Sequence, residues 1–384
     1  MSRHDAATRI VRLTATEVVV PANPIALQSA GVDRPLHKLA TGARGGWSVQ
    51  FDTLPKLLLE LELADGTVGL GELYRDHRWP VVEEMARMLL GSDAAGYALQ
   101  RLPFAYGREY DGFEIALADA LARHRGMPLA DLLGGALRDR VEVNAWSGHR
   151  LRGDIGPLVA DYAAQGFTTI KFKCDADDDV AGWCREIAEA APSMRVVLDP
   201  NERWETPRMA LDRCHALAAV GNVALIEDPI PHTFSWDAWA DLRRASPLAI
   251  ARHVAVPYPQ LGQRLADVSL AVQHRAVDGL VVNGGLWDFA RADAVASLAG
   301  LPLFHGSEVD LGVCEAAYLH ACAAARSCTW PSDVFGRLIR SHDLLAEPLR
   351  IEPPFALLPQ GPGLGVALDA AAVDARTVTR KEFR

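Results

Sequence analysis

The sequence predicts an α/β barrel preceded by an α+β region, and three observations predict it. From about residue 141, short β-branched or apolar runs alternate with helical segments, the texture of a parallel sheet. About eight such units follow one another, enough to close a barrel. Polar residues also recur at the ends of the runs. Lys173, Asp199, Glu227, His253, Asn283 and His305 are separated by 26, 28, 26, 30 and 22 residues. Each interval is one strand, one helix and two loops, so all six side chains are expected at the C-terminal mouth of one barrel, where catalytic groups of this architecture gather. A doubly wound open sheet gives similar alternation but does not aim six successive strand ends at one point.

In chain order, "KLLLELELADGTVGLGELY" (56–74) alternates with period two around Asp65-Gly66, a hairpin signal. Helical spacing follows in "FEIALADALARHRGMPLADLLGG" (113–135), with Pro128 opening a second helix and Gly134 and Gly135 closing it. The barrel runs are "VEVNAW", "TTIKFK", "RVVLD", "VALIE", "LAIAR", "GLVVN", "LPLFH" and a weak eighth near "SCTW". Helices such as "DDVAGWCREIAEA" and "DFARADAVASLAG" fill the gaps, and the turn-rich "PPFALLPQGPGLGVALD" (353–369) is expected to fold back on the N-terminal region. The expected division is 1–138, 139–345 and 346–384.

With 49 % hydrophobic and 23 % charged residues, the composition is that of a globular protein. A net charge of −10 argues against nucleic acid or an anionic membrane as partner, while leaving a small acidic substrate open. No signal-peptide core and no membrane-length apolar run are present, and the six cysteines form no CxxC pair. Reduced thiols in a cytoplasmic protein are the expectation.

Lys171 and Lys173 lie two apart on a strand and so face the same side. Each lowers the proton affinity of the other, which moves an ammonium toward general-base use. Paired lysines also guard solvated edge strands, the competing explanation. Asp199 and Glu227 end adjacent runs, where two carboxylates repel unless a cation lies between them. Oxygen donors of that kind suit Mg²⁺. Two helix N-caps would explain the same residues.

Lys171-Phe-Lys173, Asp199-Pro-Asn201, Glu227-Asp-Pro229, "HGSEVDLG" and "GPGLGVALD" together resemble the enolase superfamily in its mandelate racemase and muconate lactonizing branch. "HGSEVDLG" and the Trp of "GGLWDF" look closer to acid-sugar dehydratases, the glucarate type in particular, than to racemases. The resemblance implies a modified (β/α)₇β barrel under an α+β cap that the C-terminal tail completes. It implies Mg²⁺, with Mn²⁺ as a substitute, stabilising the enediolate of a small carboxylic acid after loss of its α-proton. Lys173 is then the base, Lys171 tunes it and contacts the carboxylate, His305 acts from the other face, and Asn201 and Glu308 contribute to the substrate site. A homo-oligomer is the family habit.

Two positions depart from the pattern. The third metal ligand should end the fifth run, where Arg252 and His253 stand. Arg has no lone pair to offer, whereas His can ligate through a neutral nitrogen. Three readings follow: His253 completes the set, water does, or Arg252 enters the substrate site as a fixed cation. Asn283 stands where an Asp often partners the catalytic histidine; it can orient an imidazole but not offset its charge. That leans toward dehydration of a polyhydroxy acid. Epimerisation, cycloisomerisation and a metal-deficient, non-catalytic homologue are the alternatives. Specificity is expected from 21–38 and 42–48, with His37, Arg44 and Trp47 as conceivable contacts.

Overall fold

The computed structural model describes residues 6–32, 37–38, 48–49, 55–75, 77–99, 101–254 and 264–384. Arg44 and Trp47, and the side chain of His37, lie outside them. No helix among the described residues is long and apolar enough to cross a membrane.

The chain begins with β1 (Ile10–Val18), the short α1 (Pro24–Leu27) and a two-residue pairing of β2 (His37–Lys38) with β3 (Ser48–Val49). β4 (Lys56–Leu63) and β5 (Val68–Leu73) then form the expected hairpin. Its turn works through Gly66 at φ +87° and through Asp65, whose carboxylate accepts the Thr67 N–H at 2.8 Å. α2 (Trp79–Leu89) buries Val82, Met85, Ala86 and Leu89, one apolar stripe at helical spacing. α3 (Tyr110–His124) is buried all round from Tyr110 to Ala122, and the one-turn α4 (Leu129–Leu132) follows it. A Cβ on Gly69 or Gly71 of β5 would lie 2.3 or 2.2 Å from backbone oxygens of α3, so glycine sets the closeness of this contact.

The barrel starts later than its first apolar run. "VEVNAW" divides into β6 (Arg140–Glu142), which leaves for an antiparallel sheet, and β7 (Ala145–Ser147), the first barrel strand. Helix and strand then alternate: α5 (Ile155–Gln165), β8 (Thr169–Lys173), α6 (Val180–Ala190), β9 (Arg195–Asp199), α7 (Pro207–Ala218), β10 (Val223–Glu227) and α8 (Trp236–Ala245). They continue as β11 (Ala249–Val254), α9 (Arg264–His274), β12 (Gly279–Val282), α10 (Leu286–Ala299) and β13 (Leu303–His305). The sheet from β7 to β13 is parallel throughout and in sequential order. The weak eighth run closes it without becoming a strand: Leu303 bridges Cys328 and Val143 bridges Ser332, both in parallel sense. Val197, Leu225, Ala251, Val281 and Phe304 fill the interior.

α11 (Gly312–Ala324) and α12 (Gly336–Ile339) follow, and then β14 (Ile351–Glu352), β15 (Phe355–Leu357), α13 (Ala370–Asp374) and β16 (Thr377–Phe383). β16 pairs antiparallel with β1, giving the N-terminal sheet the order β16-β1-β4-β5, while β15 pairs with β6. Buried ionic contacts lock this cap to the barrel. Lys56 of β4 meets Asp310, Glu72 of β5 accepts the N–H groups of Leu311 and Cys314 at 2.8 and 2.9 Å, and Asp111 of α3 meets Arg264 of α9. Removing one partner of such a pair strands the other charge, at about 3–5 kcal/mol.

Candidate active site

Side chains in a strand alternate between faces, and the interior residues fix the phase. Val197 faces inward, and so does Asp199; Leu225 carries Glu227 inward, and Ala251 carries His253. Lys171 and Lys173 share the same inner face. β8 lies between β7 and β9 and is buried throughout, so its lysines do not guard an edge. Nor are the carboxylates helix caps: Thr206 caps α7 and Ser235 caps α8.

The mouth is a dense charge network. Lys171 Nζ lies 2.7 Å from Glu227, 2.6 Å from Asp333 and 3.3 Å from Asp199. Lys173 Nζ lies 2.5 Å from Asp199 Oδ2 and donates to Asn201 Oδ1 at 2.8 Å. Asn201 sits at φ +44°, a conformation Asn tolerates, and its N–H is held by Asp199 at 3.0 Å. Burial alone would raise the Asp199 carboxyl, but the Lys173 and Lys171 ammoniums outweigh it and hold it well below the ordinary range. Glu227 goes the other way, pushed up by burial and by the Asp199 charge against the pull of Lys171. The mutual lowering expected of the lysines is not what governs Lys171. Burial opposes its charge, yet Asp333, Glu227 and Asp199 raise it well above the ordinary lysine value.

The strand that ends in two cations is resolved by register. Arg252 faces away from the mouth, its guanidinium carbon 4.0 Å and 4.7 Å from the ring centres of Trp236 and Trp239 of α8. Its assignment to the substrate site is therefore corrected: it is a cation stacked on aromatic faces behind the barrel wall. His253 faces inward, its Nδ1 3.5 Å from Glu227 Oε1. Burial would lower this imidazole, but the Glu227 contact outweighs that and raises it.

His305 requires the second correction. Phe304 fills the interior, so its neighbour His305 points outward, stacked on Tyr318 at 3.7 Å and Phe289 at 5.0 Å between α11 and α10. Its Nδ1 donates to the Gly306 carbonyl at 2.6 Å, and burial holds it at about 3, neutral under all ordinary conditions. It does not face the site. The inward position is Gly306, where a Cβ would fall 2.0 Å from Asn283 Oδ1. Asn283 consequently orients no histidine; its side-chain N–H₂ donates to Glu308 Oε1 at 2.8 Å, and Glu308 Oε2 meets Arg75 of the cap at 3.0 Å.

Three residues of this site were not singled out in the sequence. Asp333 follows the closing segment, and its signal was weak, because the residues before it, Ser327 to Ser332, form no apolar run like the one that precedes Asp199. Asp228, next to Glu227, accepts the His253 N–H at 2.9 Å and contacts His232 Nε2 at 2.8 Å. Arg75 had no signal, because nothing local marks a cap residue that reaches the barrel.

The donor set fits a divalent cation. Glu227, Asp228 and His253 each bring a ligand atom to within 4.8 Å of the others, and His253 Nε2 and Asp228 Oδ2 are buried without a hydrogen-bond partner. Between Asp199 and Glu227 a positive charge is already accommodated, namely the Lys171 ammonium.

Comparison with known proteins agrees with this geometry. The model of the family described as enolase C-terminal domain-like matches residues 155–372. Muconate cycloisomerase 1-2 of Acinetobacter lwoffii is 31 % identical over 354 residues, covering 85 % of this chain and 89 % of its own. A probable glucarate dehydratase of Streptomyces coelicolor is 27 % identical over 420 residues, covering 94 % and 90 %. The crystal structure of the muconate lactonizing enzyme of Pseudomonas fluorescens complexed with muconolactone superposes with a TM-score of 0.79 at 25 % identity, covering 97 % of this chain and 100 % of that one. The chain belongs to the enolase superfamily, in the branch of mandelate racemase and the muconate lactonizing enzymes.

Proposed function

We propose that this protein removes the proton α to the carboxylate of a polyhydroxy (sugar) acid bearing hydroxyls at the α- and β-carbons, with Lys173 as the base, and expels the β-hydroxyl as water. The observation that carries the reading is the placement of Lys173 Nζ against Asp199 and Asn201 on the inner wall, beside Glu227 and His253. Lys173 Nζ takes the proton from the α-carbon, and Asp199 and Asn201 hold the ammonium that forms. That ammonium then returns the proton to the departing hydroxyl on the same face, so atoms and charge balance as one water lost and one keto acid gained after tautomerisation. Lys171, fixed by Glu227 and Asp333, presents a permanent cation for the substrate carboxylate. A divalent cation, Mg²⁺ or Mn²⁺, held by Glu227, Asp228 and His253 would supply charge that offsets the negative charge developing on that carboxylate.

The second reading is cycloisomerisation, the activity named for the relative that is 31 % identical. It too needs proton transfer at one face only. Racemisation needs an acid–base group on both faces. The described residues opposite Lys173 offer Asn283 and a Glu308 engaged by Asn283 and Arg75. Incubating the protein and a divalent cation with a panel of sugar acids, diacids and muconolactones tests the choice. Keto-acid formation supports dehydration, ring opening supports cycloisomerisation, and no turnover or α-exchange of any member contradicts both.

A further inference from the structure

We infer that His253 makes this site selective for a divalent cation that accepts nitrogen, of the Mn²⁺, Co²⁺ or Zn²⁺ kind, over Mg²⁺. The inference deepens the reading above and rests on it only for the place of the cation. Mg²⁺ takes oxygen donors in a near-octahedral shell and gives up its waters reluctantly, while imidazole is a ligand of the borderline transition metals. A carboxylate at the end of β11 would have left the cation an all-oxygen set. This chain puts an imidazole there, on the inner face and 7 % exposed.

An orphaned ring nitrogen is not by itself the mark of a ligand: His149 is buried with Nδ1 against Asp178 at 3.0 Å and Nε2 unpartnered. His253 has an orphaned nitrogen too, and differs in converging with two carboxylates, Glu227 and Asp228. Nδ1 has Glu227 at 3.5 Å, and Nε2 is buried with no hydrogen-bond partner. Asp228 Oδ2 beside it is in the same condition, and each of the two residues brings a donor atom into the 4.8 Å cluster with Glu227. Glu227, Asp228 and His253 together offer two carboxylate oxygens and one ring nitrogen, a donor set that suits a nitrogen-accepting cation. The backbone secures the arrangement, since the His253 N–H is held by Asp228 Oδ1 at 2.9 Å and that same oxygen is held by His232.

The test is spectroscopic and thermodynamic, on the metal-stripped full-length protein. Binding of Mg²⁺, Mn²⁺ and Co²⁺ is measured by calorimetry, and the Mn²⁺ complex is examined for electron-spin-echo modulation from a directly bound ¹⁴N. The expected result is nitrogen modulation, together with a Mn²⁺-over-Mg²⁺ preference that falls about tenfold or more in His253→Asp. Modulation in the unaltered protein alone carries the result if that variant fails to fold. Absence of nitrogen coupling, an unchanged preference in a folded His253→Asp, or no binding of any of the three ions overturns the inference. Turnover with Mg²⁺ and no nitrogen coupling would leave the α-proton reading standing without it. Nitrogen coupling with no turnover of any acid would do the reverse.

Discussion

The two halves of the barrel mouth are built from the same kind of segment, a short apolar strand with a polar end, yet in only one half do the strands themselves end inward in charged or ligating side chains. Along β8 to β11 every inward terminal position is charged or can ligate: Lys171, Lys173, Asp199, Glu227 and His253. Along β12 and β13 the inward positions are Asn283 and Gly306, and the histidine that should have matched Lys173 is one residue out of phase. In a strand one residue is the whole difference between the pocket and the helix layer. The contrast favours reactions in which a proton leaves and arrives on one face.

That contrast can be attacked at several points. Lys173→Ala should reduce α-proton exchange by about 10⁴-fold, the upper range for a general base, with the circular dichroism spectrum unchanged. Acid should expose the packing role of the outward histidine. Burial holds His305 at about 3 and His320 at about 4, against 6.5 for the unperturbed side chain. Below pH about 6.5 the unfolded chain binds protons that the folded chain excludes, so stability falls with falling pH, by at most about 1.4 kcal/mol per pH unit for each group. Urea titrations at pH 7 and pH 5 measure this, and His305→Phe should reduce the loss while preserving turnover. Gly306→Ala should cost about 1–3 kcal/mol, because its Cβ collides with the amide oxygen of Asn283. Arg252→Met, behind the wall, should lower stability by about 1–2 kcal/mol and leave kcat/KM within about twofold of the original.

Much of this was legible in the residues. The repeating interval placed Lys173, Asp199, Glu227 and His253 at a common mouth, and the Asp65-Gly66 turn appeared where its chemistry required. Phase was not legible. Strands of a parallel sheet are apolar on both faces, so "LPLFH" and "LAIARH" contain no alternation to say which terminal residue turns inward. "VEVNAW" has alternation enough for one strand, but Val143 bridges the closing segment and the run divides there. The Asn283–Glu308–Arg75 chain joins three stretches far apart in sequence, and no local pattern announces it.

The most direct measurement follows, by proton NMR in deuterated water, the α-hydrogen of the unconverted acid and C3 of the keto acid formed, with the chirality of the unconverted acid analysed in parallel. Deuterium at C3 of the product, with any α-exchange of the unconverted acid retaining its configuration and both abolished by Lys173→Ala, is the predicted result. Racemised unconverted acid, or exchange that persists without Lys173, would contradict it.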